Sequence, residues 1–112
     1  MTWRLVICAG CGGTGAALAK ALRAALDVEV ALAPCLSVCA DPVTLAAQGT
    51  GRATYVFSGL GLADLADVRA FAAAYEAAPA GWIEDARPLG RLRHCLVTRV
   101  PAMPDPAITA PP

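Results

Sequence analysis

The residues of this chain whose type and spacing best suit chemistry are its five cysteines, four of which form two close pairs. The pairs have the spacings Cys8-x2-Cys11 and Cys35-x3-Cys39, with twenty-three residues between them. Thiolates bind both structural zinc and iron–sulfur clusters, and short local pairs are typical of both kinds of site. Two pairs of cysteines therefore indicate a metal or redox centre.

Each cysteine pair follows a predicted strand. Residues 3–7 form a first strand, residues 16–26 form a helix with leucines at four-residue spacing on one face, and residues 28–33 form a second strand. When the strands of a strand–helix–strand unit lie parallel, they end at the same edge of the sheet. The sequence therefore predicts that the two pairs converge, although they are far apart along the chain.

A hairpin and a second helix follow. Residues 42–48 and 53–58 are predicted strands joined by a turn at Gly49-Thr50-Gly51, and a helix covers about 63–77. The resulting order, β-α-β-β-β-α, is the order of an α/β, thioredoxin-like fold with a mixed sheet. Residues 79–99 show no clear pattern beyond a short apolar run near Cys95.

Composition excludes several classes of function. The formal net charge is zero, which argues against a nucleic-acid binder and against strong attraction to anionic membranes. No uncharged stretch reaches the ~18 apolar residues of a membrane-spanning helix. Aromatics make up only 5% of the chain, so we expect a core of Leu, Val and Ala with few large side chains. We expect a cytoplasmic protein with one domain over 1–100 and a flexible proline-rich tail over 101–112.

A 2Fe–2S cluster suits the two cysteine pairs better than zinc does. Such a cluster takes two thiolates per iron and carries negative charge, which backbone N–H groups stabilise. Gly10, Gly12 and Gly13 let the backbone approach sulfur closely, and the N-terminus of the first helix adds a favourable dipole. The predicted ligands are Cys8, Cys11, Cys35 and Cys39.

The segments around these cysteines resemble a known family. Residues 7–11, 33–42 and 53–57 are similar to segments of the thioredoxin-like 2Fe–2S ferredoxins, and of small bacterial predicted metal-binding proteins related to them. The resemblance covers roughly residues 3–100, although the first two ligands of the best-known ferredoxins lie further apart. It implies electron transfer and often a homodimer. We also expect a flavoprotein or reductase as redox partner, and no enzymatic activity, because the sequence offers no acid–base or nucleophile set. A mean hydropathy of +0.55 also favours a dimer.

Three other interpretations stay open. The four cysteines also fit a zinc site with a structural or interaction role. Cys8 and Cys11 before a helix also fit a thioredoxin-type thiol–disulfide oxidoreductase, which leaves the second pair without a role. Gly10-x-Gly12-x-x-Gly15 after a strand has the form of a dinucleotide fingerprint, but no acidic residue ends the second predicted strand.

The C-terminal half contains two further features that bear on function. Cys95 stands alone in an apolar run, which is typical of a small buried side chain, so we predict that it is not a ligand. The neighbouring His94 is not a predicted ligand either. A basic segment is either a surface balanced by nearby acids or a docking patch for an acidic redox partner. Its arginines are Arg87, Arg91, Arg93 and Arg99.

Overall fold

A five-stranded mixed sheet forms the framework, and two helices cover one of its faces. The computed structural model describes residues 3–8, 15–33 and 43–102. Its elements are β1 (Trp3–Cys8), α1 (Gly15–Ala25), β2 (Glu29–Ala33), β3 (Leu45–Gly49), β4 (Arg52–Phe57), α2 (Leu65–Ala77) and β5 (Leu96–Val100). The strand order is β2-β1-β3-β4-β5. The predicted α/β class and the order β-α-β-β-β-α are confirmed, and β5 is an addition.

The first strand pairs with a neighbour on each side. β1 pairs in parallel with β2, with Cys8 opposite Ala33, because α1 carries the chain back to the start of the sheet. On its other side β1 pairs antiparallel with β3, with Ile7 opposite Leu45. β3 turns into β4 through two residues, of which Gly51 has a φ of +70°, a conformation that costs glycine little. The expectation that β1 and β2 end at the same edge is thus confirmed.

Alternate residues of the strands face the helices and build the core. Leu5 and Ile7 of β1 are fully buried there against Leu18 and Leu22 of α1. This is the face that the leucine spacing of α1 predicts. Leu26, which the same spacing includes, lies just beyond the helix end and is only partly buried. Each helix therefore contributes a narrow apolar stripe to one shared core.

All six aromatic residues of the chain pack into one contiguous cluster. They are Trp3, Tyr55, Phe57, Phe71, Tyr75 and Trp82. The ring centroids lie 4.8 Å apart for Trp3 and Tyr75, and 5.0 Å apart for Phe57 and Phe71. Both pairs have the edge-to-face geometry that aromatic quadrupoles favour. Leu, Val and Ala supply most of the buried core cluster of the described residues, as the composition predicts, and the aromatic side chains pack together within it.

Two glycines explain how the chain between α2 and β5 packs so closely. Gly81 and Gly90 both have positive φ, at +69° and +60°. A Cβ on Gly81 would lie 2.9 Å from the Cε1 atom of Tyr75, and one on Gly90 would lie 2.5 Å from Asp67 Oδ1. Glycine is therefore required at both positions for conformation and for space.

β5 extends the sheet on its outer side. It pairs antiparallel with β4, with Thr54 opposite Val100 and Phe57 opposite Leu96. The strand follows a 3-10 turn, Arg87–His94, which the sequence pattern assigns to no element. Unlike the other four strands, β5 has all of its residues exposed.

Two expectations concern the chain as a whole. The predicted tail over 101–112 falls outside the described residues from position 103 onward. Across the described ranges, none of the helices has the length and apolar character needed to cross a membrane.

Candidate metal centre

Each of the five strands has one terminus at the same end of the sheet, and we name this end the Cys8 edge. β1, β2 and β4 end there, and β3 and β5 begin there. The residues that define it are Cys8, Ala33, Leu45, Phe57 and Leu96. Both segments that contain the predicted cysteine pairs leave the sheet at this edge.

Cys8 is the predicted ligand that the structure describes. It is the last residue of β1, only 3% exposed, and its backbone N–H donates to the carbonyl of Thr44 over 3.0 Å. It alternates with Ile7, whose side chain belongs to the core cluster, so the Cys8 thiol lies on the opposite face of the sheet. Cys8 is therefore buried and held by the sheet on the face opposite the main core cluster.

The other three predicted ligands, Cys11, Cys35 and Cys39, lie outside the described residues. Within residues 3–8, 15–33 and 43–102, no group of three or more His, Cys, Asp or Glu side chains is arranged to hold a metal ion. Of the five cysteines, those ranges contain only Cys8 and Cys95. The four-cysteine site therefore stays a prediction.

The chain that returns to the sheet before β3 is held firmly at the Cys8 edge. Val43 and Leu60 exchange backbone hydrogen bonds of 3.3 and 3.1 Å, and both side chains are buried. Thr44, the next residue, accepts the bond from Cys8. The start of β3 thus joins the end of β1 to the loop that follows β4.

A buried carboxylate stabilises that loop. Asp64 is 6% exposed, and its Oδ2 accepts hydrogen bonds of 2.9 Å from the Gly61 N–H and from Arg91 Nη1. Arg91 also donates through Nη2 to the carbonyl of Gly59 over 3.1 Å. These contacts tie the loop after β4 to the 3-10 turn before β5. The sequence gives no signal for this pair, because its members are 27 residues apart.

Cys95 also lies at the Cys8 edge, directly before β5. Its carbonyl accepts from the Ser58 N–H over 3.0 Å, its N–H donates to Leu92, and its side chain packs partly buried against the core. Because β5 is three strands away from β1, Cys95 and Cys8 are separated by roughly 14 Å. This separation, with the two thiols on different faces, supports the prediction that Cys95 is not a ligand of the same centre.

Two arginines of the basic segment are paired with carboxylates. Arg87 Nε lies 2.9 Å from Asp85 Oδ1, and this side-chain hydrogen bond, with the backbone bond from Arg87, lowers the pKa of the Asp85 carboxyl to about 2. The carboxylate therefore keeps its charge, and its pairing with Arg87, above about pH 2. Arg91 is paired with Asp64 in the same way, with 2.9 Å between the charged atoms.

The other two arginines also have partners within the chain. Arg93 Nε donates to His94 Nε2 over 3.1 Å. The Arg99 guanidinium lies 4.0 Å from the ring centroid of Trp82 and donates to the carbonyl of Ile83. These contacts favour the interpretation that the arginines pair with groups of this chain. They do not favour a docking patch for an acidic partner.

A protein family matches most of the chain. The match covers residues 12–102, so it includes Cys35, Cys39 and Cys95 and begins just after Cys11. No curated protein matches the chain, and no solved structure matches it either. Because the matched range exceeds half of the sequence, the chain belongs to the family described as "Protein of unknown function (DUF1636)".

Proposed function

We propose that this protein is a one-electron carrier that holds a 2Fe–2S cluster on Cys8, Cys11, Cys35 and Cys39. The observation that carries the proposal is the parallel register of β1 and β2, which puts Cys8 directly opposite Ala33. Residues 25 positions apart in the sequence thereby lie about 5 Å apart, the spacing of neighbouring strands.

Covalent geometry limits how far the next thiols can lie from this strand pair. A residue of extended chain spans at most ~3.6 Å, so Cys11 stays within about 11 Å of Cys8. By the same measure Cys35 stays within about 7 Å of Ala33. One member of each pair is thus tethered close to the same two neighbouring strand ends.

The fourth thiol is tethered from the other side. Cys39 is four residues before Val43, which keeps it within about 14 Å of that position. Val43 precedes Thr44, whose carbonyl accepts the backbone hydrogen bond of Cys8. These limits on chain reach leave a shared centre near the end of β1 possible for all four cysteines, which supports the proposal.

The Cys8 edge also suits the exchange of electrons with a partner. Bound iron–sulfur clusters accept and return single electrons, at potentials set by hydrogen bonds and solvent exposure. Three large apolar side chains remain exposed along this edge: Leu32 is 42% exposed, Leu62 53% and Leu96 38%. They offer contact surface for a redox partner, for which a flavoprotein or reductase has the required chemistry.

The remaining parts of the proposal follow from thiol chemistry and composition. Unoxidised ligand thiols require a reducing compartment, so we place the carrier in the cytoplasm. We propose no catalytic residues, and the net charge of zero gives no reason to add a nucleic acid or a membrane as partner. A four-cysteine zinc site has the same geometric basis but lacks one-electron chemistry.

Voltammetry of the purified holoprotein tests the carrier role. We expect a reversible one-electron wave, and we expect a flavoprotein reductase supplied with reduced nicotinamide to bleach the visible absorption. We expect this because a cluster at the Cys8 edge can exchange electrons with both an electrode and a partner protein. A cluster that is present but cannot be reduced reversibly would refute the carrier role and favour a structural or sensing role.

A further inference from the structure

A groove runs between α1 and α2 on the helix-covered side of the sheet, and we name it the interhelical groove. Its volume is about 450 Å³. One wall is the stretch where α1 passes into β2, and the other is a stripe of α2 with one small side chain per turn. These walls consist of Ala25, Leu26 and Val28 on the first side, and of Ala66, Ala70 and Ala73 on the second.

The two helices point in the same direction along this groove. α1 follows β1 and α2 follows β4, and both strands end at the Cys8 edge, so both helices run away from that edge. Their last turns come together at the far end of the groove, where Ala25 and Glu76 line it beside Trp3, the first residue of β1. Parallel helices place the negative ends of their dipoles side by side.

The charged side chains of the groove are separated in the same sense. Asp27 and Glu76 lie at the far end, and Arg69 lies seven residues before Glu76, about 10 Å nearer to the Cys8 edge. The Glu76 carboxylate accepts a hydrogen bond of 3.2 Å from the Trp3 indole N–H. Within the described residues, neither the Asp27 carboxylate nor the Arg69 guanidinium has an ion pair or a hydrogen bond. The groove is therefore polarised, with unpaired charges at both ends.

Two arginines near the far end leave this polarity in place. Arg23, in the last turn of α1, donates to the carbonyl of Val30 over 3.1 and 2.8 Å. Arg52 donates to the carbonyl of Tyr75 over 2.8 Å. Neither guanidinium is among the described groups that line the groove. Because helix dipoles disfavour carboxylates at C-termini, an incoming positive group at this end would relieve an unfavourable arrangement.

We propose that the interhelical groove binds an amphipathic helix of a partner protein, lying antiparallel to α1 and α2. The alanines at positions 66, 70 and 73 form a ridge of small side chains, which lets a third helix approach to the 8–10 Å between packed helix axes. The stripe from Ala66 to Glu76 is about 15 Å long, the length of about three helical turns. The partner helix is expected to present apolar residues at three- and four-residue spacing.

The charges of the groove determine the direction of this helix. In the antiparallel orientation its N-terminus, the positive end of its dipole, lies beside Asp27 and Glu76. A lysine or arginine at that end would pair with these carboxylates, and an acidic residue about two turns later would reach Arg69. The contact area of so short a helix is small, so the complex is expected to be transient. The inference uses no cysteine and therefore holds whether or not the proposed function is correct.

Titration of labelled synthetic peptides with the full chain tests the inference. The probe is a helical peptide of about 20 residues with a leucine stripe, lysines in its first turn and a glutamate about two turns later. In the control peptide the lysines and the glutamate are exchanged. Fluorescence anisotropy at low ionic strength is expected to show about tenfold tighter binding of the lysine-first peptide. The difference should shrink in about 0.5 M salt, which screens exposed charges.

Charge exchanges on the protein separate the groove from the rest of the surface. Asp27→Lys with Arg69→Glu reverses the polarity of the groove, so this double variant should prefer the exchanged peptide by about tenfold. Glu84→Lys with Lys20→Glu makes the same changes of charge at exposed positions outside the groove, and should leave the original preference unchanged. Ala70→Phe fills the groove and should weaken the binding of both peptides by about tenfold or more. Far-ultraviolet circular dichroism establishes that each variant is folded.

Four results would overturn the proposal. They are equal binding of the two peptides, an unchanged preference in the polarity-reversed variant, undiminished binding by the folded Ala70→Phe protein, and no binding of either peptide at millimolar concentration. Each can be read in protein with or without a bound cluster, so they stand apart from any failure to find one.

Discussion

Cys8→Ser is expected to abolish most of the visible absorption of the purified protein, and Cys95→Ser is expected to leave it unchanged. Cys8 is fixed at the end of β1 by a backbone hydrogen bond, so a neighbouring side chain cannot easily replace its thiol. Serine is a much poorer ligand for iron, because the cluster is bound by thiolates and a hydroxyl rarely ionises. Cys11→Ser, Cys35→Ser and Cys39→Ser are expected to have the same effect.

Cys95→Ser is a matched control for this series. It makes the same chemical change at the same edge of the sheet, in a side chain that packs against the core instead of away from it. Far-ultraviolet circular dichroism establishes that each variant is folded before its spectrum is compared. Loss of the absorption in folded Cys95→Ser protein would show that the ligand assignment is wrong.

Tyr75→Ala is expected to lower the free energy of unfolding by about 3–5 kcal/mol, which is large against the roughly 5–15 kcal/mol of a typical domain. Tyr75 is fully buried, and its ring centroid lies 4.8 Å from that of Trp3 and 5.4 Å from that of Phe71. Its hydroxyl donates to the carbonyl of Ala53. Urea unfolding followed by tryptophan fluorescence measures the change.

Tyr75→Phe separates the hydroxyl from the ring. It keeps the packing but removes the donor to Ala53, so it should cost about 1 kcal/mol. Burial raises the pKa of Tyr75 above 10.0, so the folded state holds this proton more tightly than the unfolded state does. The stability that this difference provides is present below about pH 10 and is lost as the pH rises further. Tyr75→Phe should weaken that decline, and a Tyr75→Ala protein as stable as Tyr75→Phe would contradict this account of the core.

Local signals in the sequence account for the first half of the fold. The leucines of α1 repeat with the period of a helix, and only one face of that helix is buried, so pattern and structure agree. Gly49-Thr50-Gly51 marks the hairpin between β3 and β4 because Gly51 adopts a positive φ. The parallel pairing of β1 with β2 then follows from the general handedness and order of such units.

The second half depends on contacts between residues that are distant in sequence. The turn before β5 packs against α2 because Gly90 lies against the carboxylate of Asp67, and β5 is braced by Arg99 over Trp82. Neither contact has a periodic signature, so residues 79–99 give no clear pattern on their own. The aromatic cluster cannot be predicted from the sequence for the same reason, because its members come from separate elements.

The sequence predicts where the candidate site lies, but it does not predict the contacts that support it. Strand order and cysteine spacing predict that both pairs leave the sheet at one edge, and the register of Cys8 with Ala33 confirms this for the strand ends. The ion pair of Asp64 with Arg91, which secures the border of that edge, joins two polar residues that look like ordinary surface positions in the sequence.

The metal and sulfide content of anaerobically purified protein decides whether the four cysteines hold a 2Fe–2S cluster. We expect red-brown protein with about two iron and two acid-labile sulfide per chain, and with no more than traces of zinc. The same composition should return when unfolded protein is refolded with iron, sulfide and zinc all offered. Stoichiometric zinc without acid-labile sulfide in that refolded protein would show that the cysteines form a zinc site and not an iron–sulfur site.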